Sequence, residues 1–495
     1  MSRPADLQRD VWVGIDLGTQ SVRVLAVTGG GQVVGASRRP LTSHRSGVRH
    51  EQDPMQWWEA VAAASREALA GVAADRVMGV AVDATSGSIL LTDPEGRPLT
   101  RGLMYDDGRA AGEVRRVNEL GAETWQELGY QKMQPSWALP KLMWLLREGG
   151  PLGPGSQLAH QNDFINRQLV GHAVPTDLSN ALKTGAHLVR EAWPEELFQT
   201  LGIPLGMLPP LVRSGTRLGT VSSEAAALTG IPAGTPVVAG ATDGCAAQLG
   251  SGALEVGSWN SVLGTTLVLK GVSRDLIADP LGVVYSHRAP NGGWLPGGAS
   301  STGAGILSRD FPGRDLGSLE KAAQLFEPAG VNAYPLAARG ERFPFQAPGA
   351  EGFVLPAPSS DGQHYAAILQ GIAFVERLSF DYLDLLGARV DGPLVLTGGG
   401  TNSEYWCQLR ADILGRPVIL PQNAEPALGM ALLAASPGRN TEAVAAEMVH
   451  IRQVIEPRST RSVFDEPYLA LLGELEQRGW LPGHVAKHAI ERAAQ

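Results

Sequence analysis

The ordered chain begins with a β-branched run, Val11-Trp12-Val13-Gly14-Ile15, whose unbroken apolar character predicts a buried strand. A polar corner, Asp16-Leu17-Gly18-Thr19-Gln20, separates it from the partly alternating Ser21-Val22-Arg23-Val24-Leu25-Ala26-Val27. Gly29-Gly30-Gly31 and Gln32-Val33-Val34 complete a predicted meander. Helical spacing follows over residues 54–70, with Trp57, Trp58, Val61, Ala62 and Ala68 in step. A strand over residues 77–82 runs into Asp83-Ala84-Thr85-Ser86-Gly87, and residues 110–147 are helix-rich up to a Pro/Gly loop at 149–155.

The second half repeats these accents. A strand over residues 236–240 ends in Thr242-Asp243-Gly244, and Trp259-Asn260-Ser261-Val262-Leu263 enters the corner Gly264-Thr265-Thr266 before Leu267-Val268-Leu269-Lys270. Strand, Gly-hydroxyl corner, strand at the head of each half reads equally as internal duplication and as coincidence. Residues 371–386 have helical periodicity; Leu394-Val395-Leu396 ends in Thr397-Gly398-Gly399-Gly400, and a helix carrying Trp406, Leu409, Ile413 and Leu414 comes next. Alternating strands and helices imply an α/β architecture, and residues 454–495 read as a helical appendage.

Composition narrows the classes. A length of 495 residues suggests about two to four domains, and 18% charged against 43% hydrophobic residues excludes a disordered chain. The formal charge of −9 without a basic run argues against sequence-independent nucleic-acid binding, which needs clustered Lys and Arg. Two distant cysteines, Cys245 and Cys407, exclude a disulfide scaffold and a Cys-rich zinc site and fit a reducing compartment. Residues 1–10 are polar, which predicts no secretory signal, and no apolar stretch approaches about 18 residues, which predicts no membrane span. The expected location is the cytoplasm.

Several common sites are absent: G-x-x-x-x-G-K-[ST], a G-x-G-x-x-G after the first strand, H-E-x-x-H and G-x-S-x-G. What remains is a set of strand ends bearing small residues, hydroxyls and single carboxylates, where ligands have access in open sheets. The corner Asp16-Leu17-Gly18-Thr19 fits a phosphate-and-metal site and also a plain hairpin turn. Asp243 suits a general base or a helix cap. Gly398-Gly399-Gly400 suits a path under a flat purine or a loop needing positive φ. Tyr105-Asp106-Asp107 with Arg109 is a polar substrate wall or a solvated turn.

In this order the motifs resemble the FGGY carbohydrate kinases, the family of xylulokinases, glycerol kinases and ribulokinases. The resemblance runs from Val11 to about Ala435. It rests on Gly14-Ile15-Asp16-Leu17-Gly18-Thr19 with Val22-Arg23, on Gly240-Ala241-Thr242-Asp243-Gly244, and on Leu263-Gly264-Thr265-Thr266. Further pieces are Tyr334-Pro335-Leu336 with Gly340-Glu341-Arg342-Phe343-Pro344, and Gly398-Gly399-Gly400 through Ala411-Asp412-Ile413-Leu414-Gly415-Arg416-Pro417 to Glu425-Pro426-Ala427-Leu428-Gly429. It implies an α/β fold of two ribonuclease-H-like domains of the actin/hexokinase type with a cleft between them. The expected division is a sugar-binding domain over 11–247, a nucleotide-binding domain over 248–470, and a helical tail over 471–495. By resemblance, Asp16 helps hold Mg²⁺ through water and Thr19 faces the phosphates. Asp243 takes the proton from the sugar hydroxyl, Gly264 and Thr265 contact ATP phosphates, and Gly399, Gly400 and Ser403 line the adenosine site. Many members have Asn where Ser403 stands, and Trp where Tyr105 stands, which suggests a modified sugar wall.

Xylulokinases typically carry Gln-Met-His at the strand end after Val82, and glycerol kinases Gln-Arg-Glu, whereas this chain has the small, hydroxyl-bearing Asp83-Ala84-Thr85-Ser86-Gly87-Ser88. With Ser179-Asn180-Ala181-Leu182-Lys183, Tyr285-Ser286-His287-Arg288 and the run from Trp294 to Ser300, this resembles the cyanobacterial and plant D-ribulose kinase subgroup. The expected reaction is ATP-dependent conversion of D-ribulose to D-ribulose 5-phosphate, the sugar held by Asp16, Ser86, Asp243 and Tyr105. Xylulokinase or another polyol kinase is the alternative, and an actin-like ATPase the remote one. The expected partners are a small sugar and ATP, with no nucleic acid or membrane, in a monomer or homodimer.

Overall fold

The computed structural model describes residues 9–150, 153–458 and 461–494. Most of the polar stretch 1–10, the centre of the 149–155 loop and the last residue of the tail lie outside the described residues. The chain forms two compact units. The first takes residues up to Leu254 together with His287–Leu295 and Asn423–His450; the second takes Glu255–Ser286, Pro296–Gln422 and the chain from Ile451 onward.

The first unit is built on strands β1 (Val11–Leu17), β2 (Ser21–Thr28), β3 (Val33–Pro40), β4 (Val77–Ala84), β5 (Arg217–Thr220) and β6 (Pro236–Val238), in the sheet order β5-β6-β4-β1-β2-β3. The meander β1-β2-β3 is antiparallel, as its turns require, while β4 joins the other edge of β1 in parallel and β6 joins β4 in parallel. In the second unit, β7 (Trp259–Leu263), β8 (Leu267–Gly271), β9 (Trp294–Ala299), β10 (Leu394–Thr397), β11 (Val418–Pro421) and β12 (Ile451–Ile455) follow the order β9-β8-β7-β10-β11-β12. Again the first strand of a hairpin has its antiparallel partner on one side and a later parallel strand on the other. The two Gly-Thr corners therefore occupy the same topological place, and the shared topology favours duplication over coincidence.

Helices cover these sheets. Helix α1 (Pro54–Ala68) starts at Asp53, whose side chain accepts from the Met55 N–H, with Pro54 at the first helical position. It buries Trp57, Trp58, Val61 and Ala64. The helix-rich stretch 110–147 is not continuous; it ends in α2 (Ala138–Glu148) after an earlier helix, Val114–Glu127. Helix α3 (Asp243–Ser251) follows β6. Helix α4 (Asp361–Leu385) starts ten residues before the expected 371, capped by the Ser360 side chain on Gln363 N–H. Its first turns are polar in sequence yet lie against Ala322 and its neighbours. Helix α5 (Glu404–Leu414) packs on it, with Arg410 paired to Glu376 at 2.7 and 2.8 Å, both fully buried, and donating to Ser261 Oγ at 2.7 Å.

Helix α6 (Pro426–Ala434) is apolar all round and buried from Ala427 to Ala434. It lies within the first unit, backbone against backbone. A Cβ on Gly14 of β1 would overlap the Ala427 carbonyl oxygen, and one on Gly429 would overlap that of Ala246 in α3. The tail forms two helices, Asp465–Gln477 and Gly483–Ala493, but the expected helical appendage from 454 begins inside strand β12, and Tyr468, Leu471, Leu472 and Leu475 join the second unit's core. Cys245 and Cys407 are both buried free thiols. No helix among the described residues is long and apolar enough to cross a membrane.

Candidate functional site

Three strand ends of the first unit bring three aspartates together. Asp16 and Asp83 are register partners on the parallel strands β1 and β4. Thr242, the N-cap of α3, bridges to Ala84 at the end of β4, which places Asp243 in the first turn of that helix. Burial, then the charges of Asp243 and Glu425, push the Asp16 carboxyl up to about 6, against the pull of Arg23. Burial and the charges of Asp16 and Asp243 hold Asp83, which is fully buried, well above the usual carboxylate range. No protein donor reaches either Asp83 oxygen. Burial and mutual repulsion thus both oppose a second negative charge beside Asp16. Asp243 is situated differently: its Oδ1 accepts the Gly244 N–H at 2.7 Å in the first turn of α3. Asp83 is the member of this trio to which the sequence reading assigned no role.

The corner itself is held from behind. Gly18 N–H closes it onto the Ser21 carbonyl at 3.1 Å. Gln52, fully buried, donates to the Thr19 carbonyl at 2.6 Å and to Ser43 Oγ at 2.8 Å while accepting from Trp57 Nε1 at 2.6 Å. Arg23, paired across β1 with Asp16, forms an ion pair with Glu425 at the head of α6.

Beside the trio, Thr85 Oγ1 contacts Ser88 Oγ at 2.6 Å and donates to Gln161 at 2.7 Å, and Gly87 takes φ +92°. Ser86 Oγ is buried and has no hydrogen-bond partner in the protein. The Tyr105 turn is not a loose solvated loop. Asp107 is fully buried, accepts the His50 N–H at 2.7 Å and two Arg109 N–H groups, and Arg109 reaches Glu51 at 2.6 Å. Tyr105 lies on this rigid base with 42% of its surface exposed.

In the second unit, Gly264 N–H bonds the Thr266 carbonyl at 3.1 Å, leaving Gly264 in open space and Thr265 exposed. The corner is tied to the segment 300–305: Ala304 N–H donates to Gly264 O at 2.9 Å, Gly305 N–H to Thr265 O at 3.1 Å, and Leu267 N–H to Thr302 O at 2.7 Å. Glu341, 3% exposed, organises that segment by accepting from Ser300 Oγ, Ser301 N–H, Thr302 Oγ1 and Tyr334 OH at 2.7–3.2 Å. Gly398 has φ +83°, Gly399 is open, and Gly400 is buried against Leu263. Ser403 Oγ accepts the Trp406 N–H at 2.9 Å and so caps α5. Of the five residues the sequence reading placed beside adenosine or phosphate here, Gly264 and Gly399 lie in open space and Thr265 is exposed, while Gly400 packs inward and Ser403 caps α5. Glu341 and Gln52 carry buried supporting roles that no spacing rule reveals.

Residues 11–250 match the N-terminal domain, and residues 259–437 the C-terminal domain, of the FGGY family of carbohydrate kinases. The chain is 32% identical over 448 residues to a xylulose kinase of Streptomyces coelicolor, covering 88% of this chain and 89% of that one. It is 27% identical over 446 residues to a xylulose kinase of Bacillus subtilis, covering 86% and 87%. The crystal structure of xylulose kinase from Rhodospirillum rubrum superposes with a TM-score of 0.84 at 26% identity, covering 94% of this chain and 99% of that one.

Proposed function

The chain belongs to the FGGY family of carbohydrate kinases, a sugar phosphotransferase, and we propose that it transfers the ATP γ-phosphoryl group to the terminal hydroxyl of a ketopentose. The convergence of Asp16, Asp83 and Asp243 at one end of the first unit's sheet carries the reading. D-xylulose is the first candidate, because the Streptomyces and Bacillus relatives are xylulose kinases. D-ribulose, giving D-ribulose 5-phosphate, is favoured by one observation: a buried Ser86 hydroxyl lacking a protein partner. A hydroxyl that can both donate and accept suits an acceptor sugar's own hydroxyl.

Phosphoryl transfer asks for placement and charge neutralisation more than for covalent chemistry. Asp243, in the first turn of α3, accepts the proton of the attacking alcohol. Asp16 is the carboxylate that would hold Mg²⁺. Its proton affinity is raised by burial and repulsion, and a divalent cation would relieve both; Mg²⁺ characteristically takes one or two carboxylates and completes its shell with water and phosphate oxygens. Bound there, the metal would neutralise charge on the transferring group. Asp83, the register partner of Asp16 on β4, adds to the repulsion a cation would relieve. Thr19 and the Gly264–Thr265 corner offer hydroxyl and backbone donors to phosphates, and Gly399 offers an uncovered surface for the adenosine; Gly400 and Ser403 shape that turn.

A coupled ATP assay over D-xylulose, D-ribulose, glycerol and pentitols tests this. At least one ketopentose is expected to stimulate turnover by about tenfold or more, and Asp243→Asn to remove about 10²–10⁴-fold of it. A higher kcat/KM for D-ribulose than for D-xylulose selects the second candidate. ATP turnover indifferent to every sugar would leave an actin-like ATPase and overturn the proposal.

A further inference from the structure

The turn bearing Ser86 is held by two lysines. Lys141 of α2 is fully buried, yet its ammonium is anchored: Nζ donates to the Gly87 carbonyl at 2.6 Å and to the Met104 carbonyl at 2.8 Å. Met104 immediately precedes Tyr105, so one side chain ties the Ser86–Gly87 turn to the turn carrying the Tyr105 wall. Lys183 donates from its Nζ to the Ser86 carbonyl at 3.2 Å. Its stem lies under Gly87, 3.1 Å from where a Cβ would stand. Burying the Lys141 ammonium beside the half-buried Lys183 is costly unless the pair does something for the groups it touches.

We propose that Lys141 and Lys183 are positioning residues that set the separation of the Ser86 and Tyr105 walls and thereby the enzyme's choice among ketoses. The inference rests on the reading that those two turns face the sugar. Each carbonyl fixed by an ammonium fixes the residue that carries it, so Ser86 Oγ meets the sugar at a set place instead of adapting to it. Such a site discriminates between epimers, because a misplaced hydroxyl leaves Ser86 unpaired. The ionisation of the tie adds a signature. Burial and the positive charge of Lys183 bring Lys141 down to about 7, opposed by Asp106 and Asp107, while Arg109 adds to the depression. The tie is therefore strongest below that pH, where Lys141 is charged.

The test compares Lys141→Met, Lys183→Met and Ser86→Ala in steady-state kinetics with D-xylulose, D-ribulose and ATP from about pH 6 to 9. The lysine variants are expected to raise the KM of the preferred ketose about tenfold or more, to narrow its advantage over the other ketose, and to leave the KM of ATP within about twofold. The parent's ketose KM should climb as pH passes about 7, and the Lys141→Met profile should lose that climb. Unchanged ketose KM and selectivity in a folded lysine variant, with Ser86→Ala impaired, overturns the positioning role. If Lys141→Met fails to fold, the half-buried Lys183→Met decides the matter alone. If Ser86→Ala leaves every ketose KM unchanged, it is the placement of the sugar at this turn that fails, whatever the lysines do.

Discussion

Burial and repulsion raise the proton affinity of both Asp16 and Asp83. A carboxyl whose folded value is about 6 retains, between that value and the ordinary 3.8, a proton that the unfolded chain has released. Stability contributed by Asp16 is therefore present at low pH, declines as pH rises across that interval, and stays low above it. In metal-free buffer at pH 7, Asp16→Asn is expected to unfold at a higher temperature than the parent, a gain worth about 1–3 kcal/mol that closes below about pH 4. Calorimetry across pH in a chelator checks it; equal melting temperatures at pH 7 would mean Asp16 is not strained. The same variant should lose activity, the stability–function exchange expected of a site built for a cation. At this scale the sequence was partly legible. Asp16 and Asp243 stand out because each ends an apolar run. Asp83 does too, but the adjacent hydroxyls drew the reading away from it. Lys141, inside Leu-Pro-Lys-Leu-Met-Trp-Leu, looks like the polar stripe of a helix; only the carbonyls that come from Gly87 and Met104 reveal why it is buried.

Elements were read better than residues where their pattern was strict. The meander of β1, β2 and β3 and the repeated hairpin of β7 and β8 follow directly from apolar runs broken by Gly-Thr corners. The start of α4 was missed because a helix buried on nearly every side shows no stripe, and its first residues are polar. The close contact of β1 with α6 was equally hidden, since a glycine in a strand signals proximity without naming what approaches. Gly14 is that point of approach. Gly14→Val would drive a branched side chain into the Ala427 carbonyl, and is expected to destabilise the protein by about 3 kcal/mol or more, with Gly14→Ala milder in effect. Denaturant unfolding measures this; a change below about 0.5 kcal/mol would show that α6 moves aside freely.

For the molecule as a whole, the family match spans both halves, and the paired sheet topologies make the duplication visible in space where the sequence offered five residues of likeness. What linear order could not convey is the return of 423–450 to the first unit. Helix α6 buries Leu428, Met430, Leu432 and Leu433 there. At about 1.5–3 kcal/mol per large apolar side chain, their burial rivals a domain's entire net stability of about 5–15 kcal/mol. A fragment of residues 1–254 is accordingly expected to show no cooperative thermal transition, and one joined to 423–450 by a flexible linker to regain it. A sharp transition in the shorter fragment would refute that dependence.

The same return sets a timetable for biosynthesis. A ribosome adding about 5–20 residues per second needs on the order of ten to thirty seconds to pass from Leu254 to the segment that seals β1. Throughout that interval the apolar face around Gly14 is exposed on a tethered nascent chain. The first half to be made is thus among the last to be finished, and the yield of folded enzyme becomes a contest between elongation rate and self-association.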